Sequence, residues 1–319
     1  NLRSILLLFG ANTISSIAQG ISMLAIPWYF VQIGESQLLI QIYLAVTLVT
    51  LFWGPFCGTI VDKYNRKHIF LILVSTVGLF IASISAYGFY NGGLSWHFAA
   101  LAFAATFFNY NLHYPNLYAF LQEISEKKQY AKMTSYVEIQ GQMAMMMAGA
   151  GAAMLLEGID DGQMELFGAI VNVPFNIPKW ELHEILALDA GTYFVSFILI
   201  SMMRYEPIAK RSTEVGNLIE RFKTGFAFLR KNPKILVFGI ASYMIFATLL
   251  ISTMNVFPIY TKNHLHAPAN TYAMSEMFYT LGALMAGITI HTIFRHISKA
   301  LAIILMTFTT AFLYVILAV

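Results

Sequence analysis

Two acidic residues, Glu138 and Glu276, lie inside long apolar stretches of the sequence. A carboxyl group is costly to place in a bilayer and usually marks a route for ions or protons. Tyr279 follows Glu276 by three residues, so both side chains share a helix face. Both acids are therefore candidates for proton coupling. The alternative for Glu138 is an interfacial ion pair with Lys132 or Arg66, and the alternative for Glu276 is a similar position at the other membrane face.

Polar side chains also concentrate in the fourth apolar stretch, where Asn109 and His113 are spaced to share one helix face. Such a cluster is too costly to face lipid, so it must face protein or a water-filled cavity. Two roles stay open: hydrogen bonds between helices, or contact with a substrate, in which case His113 can titrate near neutral pH. The candidate substrate contacts over the whole chain are Gln19, Asn109, His113, Tyr243, Asn255 and Tyr279.

A charged motif joins the second apolar stretch to the third, and its members are Gly58, Asp62, Lys63, Arg66 and Lys67. An Asp at a helix end can pair with basic groups and with the N-terminus of a neighbouring helix. The motif can therefore act as a gate that holds two parts of a protein together at one membrane face. The alternative is a solvated loop, and we favour the gate.

Two further sets of residues receive structural interpretations. The segment Ala148–Ala152 alternates alanine and glycine, and small residues allow helices to pack closely in a bilayer. Asp189 lies near the start of the sixth apolar stretch, where we expect it to fix the beginning of a helix. Neither set is predicted to bind a ligand.

Nine apolar stretches must position these residues. Each can supply the about 20 residues with which an α-helix crosses about 30 Å of hydrocarbon. The stretches are Ile5–Val31, Leu38–Val61, His68–Tyr90, Trp96–Phe120, Tyr136–Leu156, Leu186–Met203, Ile235–Tyr260, Tyr272–Ile293 and Leu301–Val319. The pattern predicts an all-α, multi-pass membrane protein.

The basic residues are distributed unevenly between the gaps. Of the 19 Lys and Arg residues, only Lys179 and Lys262 fall in the gaps on one side, and the others fall on the side of Arg3. Lys and Arg are retained in the cytoplasm during membrane insertion. We therefore expect the N-terminus in the cytoplasm and the protein in the plasma (inner) membrane.

Composition excludes several classes of function. Hydrophobic residues make up 58% of the chain, charged residues 11%, and the net charge is +3 without a basic face that would suit nucleic acid. Cys57 is the single cysteine, so neither an intrachain disulfide nor a thiolate metal cluster can form. The sequence has no Gly-x-x-x-x-Gly-Lys-Ser/Thr loop, no metal-ligand spacing and no Gly-x-Ser-x-Gly elbow. We predict no cofactor and no enzymatic activity.

An internal repeat indicates two similar halves. The paired motifs are Phe9-Gly10 and Phe238-Gly239, Pro27-x-Tyr29 and Pro258-x-Tyr260, and Gly58-x-x-x-Asp62-x-x-x-Arg66 and Gly287-x-x-x-His291-x-x-x-Arg295. Parallel six-helix repeats are one way in which transporters build a central site. The repeat predicts a six-helix bundle over residues 1–204, a cytoplasmic linker over 205–234, and the first three helices of a second, truncated bundle over 235–319.

The two longest gaps have distinct patterns. Within the linker, apolar residues recur at helical spacing from Leu218 to Leu229, opposite charged residues, which predicts a helix lying in the membrane interface. Asn232-Pro233 should end that helix. The gap from Glu157 to Glu184 holds prolines and mixed polarity, which predicts an ordered surface loop that could include a short hairpin.

The motif Gly58-Thr-Ile-Val-Asp62-Lys63-Tyr-Asn-Arg66-Lys67 resembles the signature loop of the major facilitator superfamily, with Lys63 in place of the usual Arg. Leu188–Ser196 and Gly225–Pro233 are similar to segments of the macrolide-efflux and enterobactin-exporter branch, and Tyr114-Pro115-Asn116 is weakly similar to a third. The resemblance covers the whole chain in layout and implies the major facilitator fold.

The resemblance also implies a function: a secondary active exporter of an amphipathic small molecule, driven by proton exchange and working by alternating access. The Asp62 loop would close the cytoplasmic side. The chain departs from the pattern of many cation exporters, because its first helix has no acidic residue and its fifth helix lacks the usual Gly-Pro. A lipid or siderophore carrier on the same fold is the alternative, and a receptor or enzyme that no longer transports is a second one. The expected partners are the substrate, protons and the bilayer, and the expected state is a monomer.

Overall fold

The computed structural model describes residues 2–160, 162–166, 169–205, 218–294 and 297–318. The first half of the chain forms six long helices, each over one of the predicted apolar stretches. They are α1 (Leu2–Gln32), α2 (Ser36–Lys63), α3 (Arg66–Asn91), α4 (Trp96–Ile124), α5 (Tyr130–Glu157) and α6 (Leu182–Ser201). A 3₁₀ turn, Lys127–Gln129, precedes α5.

The second half is also helical. Its helices are α7 (Leu218–Lys231), α8 (Pro233–Ile251), α9 (Phe257–Asn263), α10 (Ala269–Phe294) and α11 (Lys299–Ala318). A π turn, Ser252–Val256, joins α8 to α9, so the two helices form one continuous rod of 31 residues. This rod, α10 and α11 occupy the last three predicted stretches.

Six helical segments in the described part of the chain combine the length and apolarity that a membrane crossing requires. They are α1, Ser36–Gly54 of α2, α3, Lys127–Glu157, α6 and the α8–α9 rod. The helices α4 and α10 reach 29 and 26 residues, and so are also long enough to cross. The prediction of an all-α membrane protein is confirmed.

Successive antiparallel helices give the molecule two ends. We call the end that holds Lys63, Lys67 and Lys127 the basic end, and the end that holds Gln32 and Glu157 the hairpin end. Within the first half, α3 packs on α6, α1 packs on both α5 and α6, and α2 packs on α4.

Each end of the first half has its own apolar cluster. The cluster at the hairpin end includes Leu24, Ile26, Phe30 and Phe103 and extends to Tyr272 of α10. A second cluster at the basic end centres on fully buried rings and aliphatic side chains, namely Leu8, Phe70, Leu117 and Phe120. Since the first cluster takes residues from α10, it joins the two halves.

Small residues on α5 allow its neighbours to approach. A Cβ added at Gly149 would lie 2.9 Å from the Ala273 carbonyl oxygen of α10, and one added at Gly151 would lie 2.8 Å from Ile21 on α1. The contact between α1 and α5 is equally close from the side of α1, because a Cβ added at Gly20 would lie 2.6 Å from the side chain of Ala148. The packing role predicted for this alanine–glycine segment is therefore confirmed.

A β-hairpin lies between α5 and α6. Strand β1 (Gln163–Leu166) pairs antiparallel with β2 (Ala169–Asn172), and a bridge between Ile159 and Ile177 closes the base of the loop. The ordered loop with a hairpin, which the sequence left as an option, is what the structure shows.

The start of α6 corrects one prediction. Glu181 is the N-cap, and its side chain and that of Glu184 form a reciprocal capping box. Asp189 lies two turns further along and is fully buried. The role of Asp189 as a helix cap is therefore wrong, because Glu181 is the N-cap and Asp189 lies inside α6.

The predicted interfacial helix corresponds to α7, which ends at Lys231, and α8 begins at Pro233. Residues 206–217, with Lys210 and Arg211, lie outside the described residues, as does Arg295 of the second repeat motif.

Candidate functional site

The basic end contains a buried ion pair. The Arg66 guanidinium is 4% exposed and donates through Nη1 to Glu123 Oε2 at 2.9 Å and to the Ala119 carbonyl at 2.7 Å. Asn116 donates from Nδ2 to the Arg66 carbonyl at 3.0 Å. A buried charge is tolerable only with such partners. These contacts fix the start of α3 against the last turns of α4.

The neighbouring residue of the motif binds a different helix. Lys67 Nζ donates to the carbonyl oxygens of Ser201 at 2.9 Å and Met203 at 2.7 Å, where a cation complements the C-terminal end of α6. Tyr205 donates from its hydroxyl to Glu123 Oε2 at 2.7 Å. The cluster of Arg66, Lys67, Glu123 and Tyr205 therefore connects α3, α4 and α6, and we call it the basic-end cluster.

The remaining motif residues lie at the end of α2. Gly58 and Asp62 are exposed, and Lys63 Nζ lies 5.3 Å from the centre of the Tyr64 ring. The contacts of Arg66 and Lys67 described above all lie within the first half of the chain. The gate between the two halves therefore stays a prediction, while the motif stabilises the first bundle.

Glu123 was missed by sequence reasoning. It lies in a gap rich in charged residues, Glu123–Lys132, where an acid is ordinarily solvated. Only the observation that Arg66 needs a buried acceptor would have identified it.

Three tyrosines form a stripe along α4. The ring centres of Tyr110 and Tyr114 lie 4.5 Å apart, and those of Tyr114 and Tyr118 lie 6.4 Å apart. Tyr118 donates a short hydrogen bond to the carboxylate of Glu138, which is itself exposed. The partner of Glu138 is therefore this tyrosine, whereas Arg66 pairs with Glu123.

One residue of the tyrosine stripe, Tyr110, lies near residues of both halves of the chain. Tyr110 lies within electrostatic range of Glu138 on α5, Tyr243 on α8 and Tyr279 on α10. Tyr243 is 62% exposed and Tyr279 is 40% exposed. These residues of α4, α5, α8 and α10 lie near Tyr110, and we call the region between them the interhalf space. Of the predicted substrate contacts, Tyr243 and Tyr279 lie here.

Asn109 and His113 lie elsewhere, on the side of α4 that faces the interior of the first half. Asn109 Nδ2 donates to the Tyr193 hydroxyl at 3.0 Å, and His113 Nε2 is 2.9 Å from Asn12 Oδ1. A cavity of about 10 Å³, large enough for one water molecule, lies beside His113, Asn12 and Ser196. The structure thus shows the first of the two predicted roles, hydrogen bonding between helices.

Gln19, the predicted contact on the first helix, is half-buried on α1, next to the close approach of Gly20 to Ala148 on α5. Closer to the basic end, the Gln140 amide of α5 donates to the Thr13 hydroxyl at 2.5 Å and to the Phe9 carbonyl at 3.0 Å. The contact between α1 and α5 therefore includes polar groups towards the basic end.

The π turn organises the second half. Tyr272 donates from its hydroxyl to the Thr253 carbonyl at 2.9 Å, and the Thr253 side chain is a neighbour of the Glu276 carboxyl. Glu276 is only 2% exposed. Asn255 is also buried, and its Oδ1 atom has no hydrogen-bond partner among the described residues. A π turn displaces carbonyl groups from the regular helix pattern and is often found at functional sites.

Asn255 also borders a groove of about 500 Å³ beside α2. The groove is lined by Ile40, Asn255, Val256, Ile259, Tyr260, Asn263 and His264. This position places Asn255 at the hairpin end and not in the interhalf space.

The two halves meet at the hairpin end. The rings of Trp28 and Tyr272 stack with their centres 6.2 Å apart, and Lys262 Nζ lies 6.0 Å from the Trp28 ring. Glu157 Oε1 accepts a hydrogen bond of 2.5 Å from the Ala269 N–H, the first residue of α10. A carboxylate at a helix N-terminus is favourable because the first N–H groups are free and the dipole is positive there.

The sequence is similar to known proteins. The family model described as Major Facilitator Superfamily matches residues 8–319. Macrolide efflux protein A of Streptococcus pyogenes is 21% identical over 295 residues, which cover 88% of this chain and 64% of that protein. Macrolide efflux protein A of Enterococcus faecalis is 20% identical over 249 residues, which cover 74% of this chain and 66% of that protein.

The chain therefore spans about two thirds of the length of the curated relatives it matches. The family match covers nearly the whole chain. The chain belongs to the Major Facilitator Superfamily.

Proposed function

We propose that the protein is a secondary active transporter that exports an amphipathic small molecule by alternating access, in exchange for protons. The observation that carries this proposal is the proximity of Glu138 and tyrosines of both halves in the interhalf space. A few polar groups among aromatic rings are typical of small-molecule sites. The relatives named as macrolide efflux proteins support an exporter.

The proposed orientation places the basic end in the cytoplasm, because only Lys179 and Lys262, among the Lys and Arg residues that the structure describes, lie towards the hairpin end. In this orientation the contacts of Trp28 with Tyr272 and of Glu157 with Ala269 close the outer side between the halves. The interhalf space would then exchange with the cytoplasm, where an exporter loads its substrate.

Glu138 and Glu276 are the proposed coupling acids. Glu138 lies in the interhalf space, where a substrate or a proton can reach it. Glu276 lies behind the π turn, next to the outer contact between Trp28 and Tyr272. A ligand shifts the balance between conformations only through its different affinity for the two states. A proton on either acid would change that affinity.

The proposal can be tested in vesicles that contain the purified protein and carry an imposed pH gradient. We expect macrolide-like or lysolipid substrates to accumulate against their own gradient in the wild type. The variants Glu138→Gln and Glu276→Gln should weaken this accumulation, and Glu126→Gln should not, because Glu126 is exposed and makes no side-chain cap.

Substrate flux that ignores the pH gradient in the wild type would contradict proton exchange.

A lipid carrier is the second candidate, because the tyrosines of the interhalf space suit a lipid as well as a drug. Transfer of a labelled lysolipid, with no response to macrolides or siderophores, would favour that alternative.

A further inference from the structure

Asp189 is a buried acid that the site described above does not use. Its side chain is 0% exposed, and neither carboxyl oxygen has a hydrogen-bond partner among the described residues. It is the eighth residue of α6, about 10 Å from the hairpin end of that helix. The capping box of Glu181 and Glu184 already fixes the helix start, so Asp189 has no structural task there.

Two other acids of the helices have hydrogen-bond donors. Glu123 has Arg66 and Tyr205, and Glu138 has Tyr118. Buried polar groups are nearly always hydrogen-bonded, so an orphan carboxyl group needs an explanation.

The surroundings of Asp189 are almost entirely uncharged. Helix α1 contributes Ser22, a neighbour of the Asp189 carboxyl that is also 0% exposed and whose Oγ likewise has no partner within hydrogen-bonding distance. The only ionisable residues of α1 are Arg3 and Tyr29, near its two ends.

The other neighbours of Asp189 provide no cation. Helix α3 has no ionisable residue between His68 and Tyr87. On α6 itself, His183 precedes Asp189 by six residues and Tyr193 follows it by one turn. Helix α4 contributes Asn109 to these surroundings, and the Asn109 amide donates a hydrogen bond to the Tyr193 hydroxyl.

An ionised carboxylate in this place would lose its hydration and gain no cation, with the Ser22 hydroxyl as its neighbouring donor, which is strongly unfavourable. The neutral acid avoids most of that cost. Conversely, the ionised form becomes favourable only when α1 and α6 separate enough to admit water. Protonation of the Asp189 carboxyl is therefore linked to the packing of α1 against α6.

A polar route leads from Asp189 towards the basic end. Asp189, Tyr193 and Ser196 follow one another at four and three residues, so they share one face of α6. Tyr193 is bonded to Asn109, and Ser196 borders the water-sized cavity beside His113. Protons could reach Asp189 along this face once water enters it.

We propose that Asp189 is a proton-binding site of the first bundle, which holds its proton while the outer side is closed and exchanges it when α1 and α6 part. The proposal rests on the transport function proposed above. The proton is taken from water onto a carboxylate oxygen and is returned to water, so no other reactant is needed.

Infrared difference spectroscopy of the purified protein tests this site directly, because a neutral carboxyl group has a C=O stretch that a carboxylate lacks. We expect the wild type at neutral pH to show such a band and Asp189→Asn to lose it. Asp160→Asn is the matched control, since Asp160 is exposed in the loop after α5. If Asp189→Asn fails to fold, Ser22→Ala should shift the band, because it removes the neighbouring hydroxyl.

Transport by the same variants tests the role of the proton. Asp189→Asn should retain flux down a substrate gradient and lose the acceleration by a pH gradient. Absence of a band from Asp189 in the wild type would overturn the proposal, and so would an Asp189→Asn variant that still responds to the pH gradient. If wild-type flux ignores the gradient, proton exchange fails as a function, and the infrared band still decides whether Asp189 binds a proton.

Discussion

At the scale of single residues, the Arg66–Glu123 pair gives the sharpest prediction. Its two side chains are 5% and 7% exposed, so removal of one partner leaves a buried charge. We expect Glu123→Leu to lower the free energy of unfolding by about 3–5 kcal/mol. Thermal unfolding of the purified protein measures this change.

The double variant Arg66→Met/Glu123→Leu should recover much of that loss, because well-packed apolar groups can replace a buried pair. The exposed Glu126→Gln serves as the control. A double variant as unstable as the sum of the single variants would show that the two side chains do not act as a pair.

The sequence alone identifies the acidic and polar residues inside apolar helices as candidates for a function. It does not predict which neighbouring helix each of their side chains faces. Asn109 and Tyr110 are adjacent, so they point about 100° apart on α4. Both are polar, and only the packing of α4 against α3 and α2 decides that Asn109 faces inward and Tyr110 faces the second half. Glu123 escaped prediction because its charged neighbours are typical of a solvated loop.

At the scale of helices, the contact between α5 and α10 depends on Gly149. A Cβ there would lie 2.9 Å from a backbone oxygen of α10, which cannot move aside as a side chain can. We expect Gly149→Ala to lower the thermal stability and to slow transport, because α5 and α10 must separate slightly.

Gly141 on the same helix is a matched control for Gly149. A Cβ there meets no atom within 4 Å, so Gly141→Ala should be neutral or stabilise the helix by up to about 1 kcal/mol. Equal effects of the two substitutions would mean that the close approach of α5 to α10 does not matter.

Helix α7 gives a second prediction at this scale. Ile219 and Phe226 are exposed on its apolar side, and Lys223 and Arg230 flank that side. If the helix lies in the interface, Phe226→Trp should be quenched by lipids brominated in the upper acyl chain, whereas Glu220→Trp should be quenched by aqueous iodide. Equal access of iodide to both tryptophans would contradict an interfacial helix.

The positions of helices were easier to predict than the orientations of side chains, since the length of an apolar stretch and the presence of turn residues are local properties of the sequence. The six helices of the first half and the helix before Asn232-Pro233 follow from such patterns, and the hairpin after Glu157 was one option for its loop. The π turn at Ser252–Val256 does not, because it depends on the tertiary partners Tyr272 and Glu276. The predicted boundaries of the linker at 205 and 234 stay predictions.

At the scale of the whole molecule, the contacts between the halves at the hairpin end describe one state of a transporter. Gly149 on α5, Trp28 on α1 and Glu157 all contact the first turns of α10. If the two bundles rock about the interhalf space, these contacts must break in the alternative state, while the basic-end cluster holds the first bundle together.

A cross-link across the hairpin end tests this motion. Ser36 and Asn263 belong to different halves, and Asn263 Nδ2 lies 3.5 Å from Ser36 Oγ in an exposed position. In a Cys57→Ser background, the pair Ser36→Cys/Asn263→Cys should form a disulfide under mild oxidation. We expect oxidation to stop net transport and a reductant to restore it, because the halves can then no longer separate on this side.

The two single-cysteine variants, treated with the same oxidant, control for damage by oxidation. Substrate binding should survive the cross-link, since the interhalf space lies towards the basic end from this pair. Binding without transport is what a transporter arrested in one state shows. Undiminished transport by the cross-linked protein would mean that the halves do not part at the hairpin end, and alternating access through this region would then be wrong.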